Sequence, residues 1–254
     1  MSGFTAFFKK EMIEYVRGYK ALILFCIFVI FGMMSPLLAK MMPDILAHTA
    51  VNGITLTIPK PTFTDSFSQF FKNFSQMGMV VLLLVFGGLL SQDLSRGTLI
   101  ILLSKGLSRH AVILAKYAAA LVLWTVSYVL AALIQWGYTV YLFNRLSAPH
   151  LFFSLFCLWL FGAFLLAVLL MSSSIVGGAY GGLILTAAGL GVLILCQLIP
   201  NMDRFSPLTL ALGNAGFMTG AANFDHAETS VWIAIALILL SLVVTLTVFK
   251  KKSL

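Results

Sequence analysis

Leu146 to Met202, LSAPHLFFSLFCLWLFGAFLLAVLLMSSSIVGGAYGGLILTAAGLGVLILCQLIPNM, contains no Asp, Glu, Lys or Arg. About 20 apolar residues, rising 1.5 Å each, cross the roughly 30 Å hydrocarbon core of a bilayer, so these 57 residues are long enough to cross twice. The break falls where Ser172-Ser173-Ser174 and Gly177-Gly178 cluster. Outward from this run, further uncharged stretches cover 21–39, 73–92, 117–144 and 229–249, each of the length of a crossing. The reading is an all-α integral membrane protein of six transmembrane helices. Composition agrees: 61% hydrophobic, 9% charged and a mean hydropathy of +1.04 lie outside the range of soluble domains.

Six crossings put both termini on one side, and Lys/Arg bias selects the side. One face holds 11 basic residues, at the N-terminus, in 91–116 and in the tail 250–254; the other holds five, Lys40, Lys60, Lys72, Arg145 and Arg204. The termini are therefore expected in the cytoplasm. The net charge of +8 follows from this bias and from attraction to anionic lipid, and calls for no nucleic acid. Cys26, Cys157 and Cys196 all fall within apolar runs and read as small buried hydrophobes rather than disulfide or metal partners. The run 21–39 ends in Pro36 and Lys40 without a small-x-small site, so no cleavable signal peptide is expected.

Residues 1–20 form a cytoplasmic interfacial helix in this reading. Phe4, Phe7, Phe8, Met12, Tyr15 and Tyr19 fall near one face, and Lys9, Lys10, Glu14, Arg17 and Lys20 largely on the other. The six-span transmembrane domain then occupies 21–249. Its external loop, 40–76, carries a β-like piece at 54–58 and an amphipathic helix over Phe63–Phe74 on the outer leaflet. Span five is rich in glycine, with Gly181 and Gly182 among six, which suits close helix approach. Segment 200–228 has an apolar piece at Leu208–Leu212, too short to cross and suited to re-entry between spans five and six.

Catalytic chemistry is missing from the pattern. All eight carboxylates and all four histidines fall in loops or at span ends, with no zinc-protease, nucleophile-elbow or phosphate-loop motif. The chain is not expected to be an enzyme or to hold a metal or cofactor. The neutral intramembrane residues Gln135 and Gln197 are read as interhelical hydrogen-bond partners, with Gln197 also a translocation-path candidate alongside Gly181 and Gly182.

The one interior charged segment on the basic face is 91–116, SQDLSRGTLIILLSKGLSRHAVILAK. Ser95 and Ser108 are placed to cap two helices separated by Lys105-Gly106. Gln92-Asp93-Leu94-Ser95-Arg96-Gly97-Thr98-Leu99, then Leu103-Ser104 through Ser108-Arg109, then Ile113 to Lys116, resembles the membrane subunits of type 2 ATP-binding-cassette (ABC) transporters. Lys10-Glu11 in the first helix and Ser206-Pro207-Leu208 agree with the same family. Two departures stand out: Asp93 where Glu is commoner, and Lys105-Gly106 in place of a proline-containing turn.

The resemblance implies a permease subunit of an exporter, with ATP and Mg²⁺ bound by a separate cytoplasmic ATPase present in two copies. It also implies a second permease copy or a paralogue, and contact with membrane lipid. Asp93, Arg96, Gly97, Thr98, Leu99, Leu103, Ser104, Arg109 and Lys116 would couple to the ATPase. Lys10, Glu11 and Arg17 would flank the docking surface, and peptide or another amphipathic molecule would be the cargo. The reading from another class is a non-transporting sensor or scaffold, distinguished by the absence of a neighbouring gene for such an ATPase.

Overall fold

The computed structural model describes residues 3–49, 60–90, 108–143, 148–176, 180–199, 203–222 and 224–251, and every regular element among them is helical. Helix α1 spans Gly3–Arg17 and α2 Lys20–Thr49; α3, Phe63–Asn73, continues through a π-helical turn, Phe74–Gly78, into α4, Met79–Phe86. Then come α5, Arg109–Leu142; α6, Leu151–Ile175; and α7, Gly181–Cys196. Two short helices, α8 (Thr209–Leu212) and α9 (Asn214–Thr219), precede the final α10, Phe224–Lys251.

Five helical segments are long and apolar enough to cross a membrane: Lys20–Ile45, Phe63–Phe86, Arg109–Leu142, Leu151–Ile175 and Ala227–Lys250. α7, at 16 residues, is a shorter apolar helix. α6 is apolar on every side, the pattern of a helix enclosed by others. It is the most deeply buried of the candidate spans, whereas α10 is the least covered by the rest of the chain.

Spans one and two depart from the sequence reading. The first helix does not stop near Pro36 and Lys40 but runs on through Pro43 to Thr49. Phe63–Asn73 is not a separate helix on the outer leaflet. Its Phe67, Phe70 and Phe71 are buried inside the bundle, and it forms the first half of the second span. Its amphipathic pattern reflects one face packed on protein rather than on lipid. Pro61 precedes the start, and Asp65 accepts the Thr62 backbone N–H at 2.8 Å, closing a capping box. The β-like piece 54–58 lies outside the described residues.

The π turn then keeps Phe74 directed inward, where it meets Phe28 (4.8 Å between centroids), Phe70 (4.5 Å) and Tyr128 (5.6 Å). Trp124 joins the cluster against Tyr128 and Phe28, so α2, α3 and α5 share one aromatic core. Such pairs add about 0.5–1.5 kcal/mol each beyond area burial. That matters in lipid, where helices associate by packing rather than by escape from water. Beside this core, Gln135 Nε2 donates to the Ser66 carbonyl (3.1 Å) and hydroxyl (3.0 Å), tying α5 to α3. This is an interhelical bond of the kind expected for Gln135.

Between α1 and α2, Tyr19 adopts φ 59, the left-handed region a bulky residue rarely enters. The chain reverses there, and Ile23 N–H returns to the Tyr19 carbonyl at 2.9 Å. At the opposite end of the bundle, α8 and α9 fold back under the start of α6. Leu210, Phe217 and Met218 are buried, and Phe153 meets Phe217 at 6.1 Å. Cys157 is buried as expected, but Cys26 is exposed and Cys196 half-buried. The latter two sit on helix faces that the rest of the chain does not cover.

Candidate functional site

Ser108 ends the 91–108 stretch as a helix cap, its hydroxyl accepting the Ala111 N–H at 3.3 Å. The cap fixes where α5 begins, and therefore fixes Arg109 in its first turn and Lys116 two turns later on nearly the same face. From there Arg109 reaches the far end of the chain. Its Nη1 donates to the carbonyls of Phe249 (2.7 Å) and Lys250 (3.0 Å), and its guanidinium lies 5.9 Å from the Phe249 ring centroid. Carbonyls in a last helical turn lack intrahelical donors and carry the negative end of the helix dipole, so a guanidinium satisfies both.

Lys116 reaches the other terminus. Its Nζ lies 2.9 Å from Glu11 Oε1, both side chains being 2% exposed. The Lys10 ammonium approaches the same Glu11 oxygen at 3.1 Å and also Glu14 Oε2 at 2.6 Å. Phe7 lies beneath both ammonium groups, at 5.6 Å from Lys116 and 5.3 Å from Lys10. Thus Phe7, Glu11 and Tyr15 form the inward stripe of α1, spaced four residues apart. Tyr15 closes this end of the bundle edge-on against Phe86 at the end of α4, with centroids 5.6 Å apart.

The arrangement gathers α1, the end of α4, the start of α5 and the end of α10 at one end of the bundle. A buried ion pair is costly to desolvate and rarely earns net stability, but it fixes register because only one geometry satisfies both charges. Glu11, read from sequence as flanking a docking surface, is buried. Arg17 remains exposed at the end of α1. Asp93, Arg96, Gly97, Thr98, Leu99, Leu103 and Ser104 lie outside the described residues, as does the Lys105-Gly106 turn.

The translocation-path candidates are not gathered into one site. A Cβ on Gly182 would stand 2.1 Å from Ser173 Oγ and 2.7 Å from its Cα, and one on Gly181 would stand 2.5 Å from Val176 Cγ1. Both glycines therefore serve the close turn from α6 into α7 within this chain. Gln197 is half-buried, its backbone N–H closing the end of α7 on Leu193 and Ile194. Gly182→Ala should destabilise the protein by about 1–3 kcal/mol, since the obstacle includes backbone. Gly189→Ala, where nothing lies within 4 Å, should be neutral or stabilising by about 0.5–1 kcal/mol. Thermal unfolding of the two variants in detergent compares them directly; equal midpoints would show that Gly182 is not the tight point.

Among the described residues, no cluster of three or more His, Cys, Asp or Glu side chains could hold a metal ion. No curated protein and no solved structure matches the chain. A family model described as ABC-2 family transporter protein matches residues 5–254, which takes in nearly all of α1, every candidate span and the Arg109/Lys116 cluster. The chain belongs to the ABC-2 transporter family.

Proposed function

We propose that this protein is the permease half of an ABC exporter: two copies, or this chain and a paralogue, form the membrane path, and two cytoplasmic ATPase subunits bind ATP and Mg²⁺ and drive it. Segment 91–116 is the coupling element. The observation that carries the reading is the position of Arg109 and Lys116. They lie in the last part of the charged island, and they bind α5 to α1 and to the end of α10. A displacement of the island by a docked ATPase therefore moves α1, α5 and α10 together rather than bending one loop.

Membership of the family and the helices described above support a six-span count. Glu11 and Phe249 both lie against the first two turns of α5, which supports an even number of passes, with α7 as the sixth. Its 16 residues rise about 24 Å, short of the full hydrocarbon core unless flanking turns or local thinning complete it. The Lys/Arg bias favours a cytoplasmic position for the clustered end, and α8–α9 then forms the external re-entrant cap. Amphipathic cargo such as a peptide is compatible with the apolar interior.

Arg109→Glu tests the coupling role. The variant loses the bonds to the Phe249 and Lys250 carbonyls and places a like charge at the negative end of a helix. Substrate-stimulated ATP hydrolysis by the complex is expected to fall by at least an order of magnitude while the variant still reaches the membrane. Arg109→Lys should fall less, retaining charge without the planar fork. If Arg109→Glu is membrane-inserted, assembled and fully coupled, the proposal fails and a scaffold role is favoured.

A further inference from the structure

α5 and α6 are joined along one part of their length and separate along the rest. Tyr117 Oη donates to the Ala163 carbonyl (3.2 Å), Trp124 Nε1 to the Trp159 carbonyl (3.0 Å) and Tyr128 Oη to the Leu155 carbonyl (3.0 Å). Beyond Tyr128 the two helices enclose a cleft of about 510 Å³. Val129, Ala132 and Leu133 form one wall, Phe152 and Phe156 the other, and the buried ring of Phe67 lies between them.

We infer that this cleft holds one acyl chain of a membrane phospholipid. Its lining has no charged side chain, and its polar atoms near the closed end are committed within the protein. Trp159 Nε1 donates to Thr125 Oγ1 (3.0 Å), which itself donates to the Leu121 carbonyl (2.7 Å), and Tyr128 Oη is bound to Leu155. Nothing there would serve the N–H and C=O groups of a non-helical polypeptide, which cannot go unpaired in hydrocarbon.

Length selects the same occupant. Thr125 to Trp136 spans 11 helical steps, about 16 Å, or half of the roughly 30 Å hydrocarbon core. A single leaflet therefore supplies the chain. Trp136 stands at the end nearest the α5–α6 connection, half exposed, and its Nε1–H has no hydrogen-bond partner among the described residues. A tryptophan with an apolar body and a free donor belongs at the level of ester carbonyls and headgroups. Because surrounding lipid is as apolar as the cleft, preference arises from dispersion against the concave aromatic wall and from this N–H, not from release of water. The inference concerns a lipid site on one protomer and is independent of ATPase coupling.

The full-length protein, reconstituted in dioleoylphosphatidylcholine vesicles doped with a phosphatidylcholine bearing a mid-chain diazirine, provides the test. After photolysis, labelling at Ala132, Leu133 and Phe156 should exceed that at Leu239, Leu240 and Val243 on the exposed side of α10 by several-fold. Ala132→Trp, which fills the cleft, should abolish the excess without changing labelling of α10. Trp136→Phe keeps the ring and removes the donor, and should lower cleft labelling; it carries the comparison if Ala132→Trp fails to insert. Equal labelling at the two sites would mean ordinary boundary lipid only, and labelling of α10 alone would mean that protein covers the cleft. Either result overturns the inference.

Discussion

Glu11→Ala is expected to cost about 3–5 kcal/mol of stability, the range for removing one partner of a buried ion pair. The cost lies mainly with Lys116, whose ammonium would stay almost fully buried after losing the carboxylate 2.9 Å away. Lys116→Met should cost less. Glu11 would then keep the Lys10 ammonium at 3.1 Å, and that lysine is itself 41% exposed and hydrated. The paired variant Glu11→Leu/Lys116→Met removes both charges and should recover most of the loss, since apolar replacement of a buried pair is often neutral. If the ion pair sets the register of α1 on α5, the paired variant will be stable yet poorly coupled to ATP hydrolysis. Thermal unfolding in detergent and ATPase stimulation separate the two effects. A Glu11→Ala protein that melts like the wild type would remove the pair from any structural role.

How far the sequence was legible depends on what kind of signal each element carries. Lack of charge over a crossing length marked α5, α6 and α10, because expelling ions from hydrocarbon is a property of the segment alone. Phe63–Asn73 was misplaced for a complementary reason. It contains Asp65 and Lys72 at its ends and Ser66, Ser68 and Gln69 between its phenylalanines, which is the composition of an interfacial helix. What takes it inside is tertiary: Ser66 is matched by Gln135 and Thr139 on α5, and its phenylalanines by Phe74, Tyr128 and one another. Polar groups satisfied by a partner helix carry no mark in their own stretch of sequence.

The functional site divides in the same way. Ser108 as a cap was readable, since the cap and its receiving N–H lie three residues apart. Arg109 and Lys116 were readable as candidates from the resemblance, but their partners were not. Glu11 lies 105 residues from Lys116, and Arg109 binds backbone carbonyls, which every residue possesses. Gly181 and Gly182 show what a glycine signal leaves open. Small residues signal close approach, but not to which surface, and here the surface is Ser173 and Val176 of the same chain.

Gly162, unlike these, is crowded by the ring of a neighbouring helix. A Cβ there would lie 2.3 Å from Trp124 Cζ2, 2.4 Å from Cε2 and 2.8 Å from Nε1. The indole cannot swing aside as a long aliphatic chain would. Its N–H is held by the Trp159 carbonyl at 3.0 Å, and its ring is boxed by Phe28 at 5.7 Å and Tyr128 at 5.0 Å. Gly162→Ala gains about 1 kcal/mol of helix preference, yet it must displace the ring and strain its bond to α6. Overpacking costs about 1–3 kcal/mol where neighbours can relax, and these cannot, so net loss at or above that range is expected, with Gly162→Leu failing to fold. Trp124→Leu makes room at the expense of a cavity. Combined with Gly162→Ala it should be more stable than the sum of the single changes predicts, a coupling of about 0.5–3 kcal/mol. Detergent unfolding of the four proteins completes the cycle. Additive losses, or a Gly162→Ala protein as stable as the wild type, would show that Trp124 is not seated on Gly162 and that the α5–α6 crossing is held elsewhere.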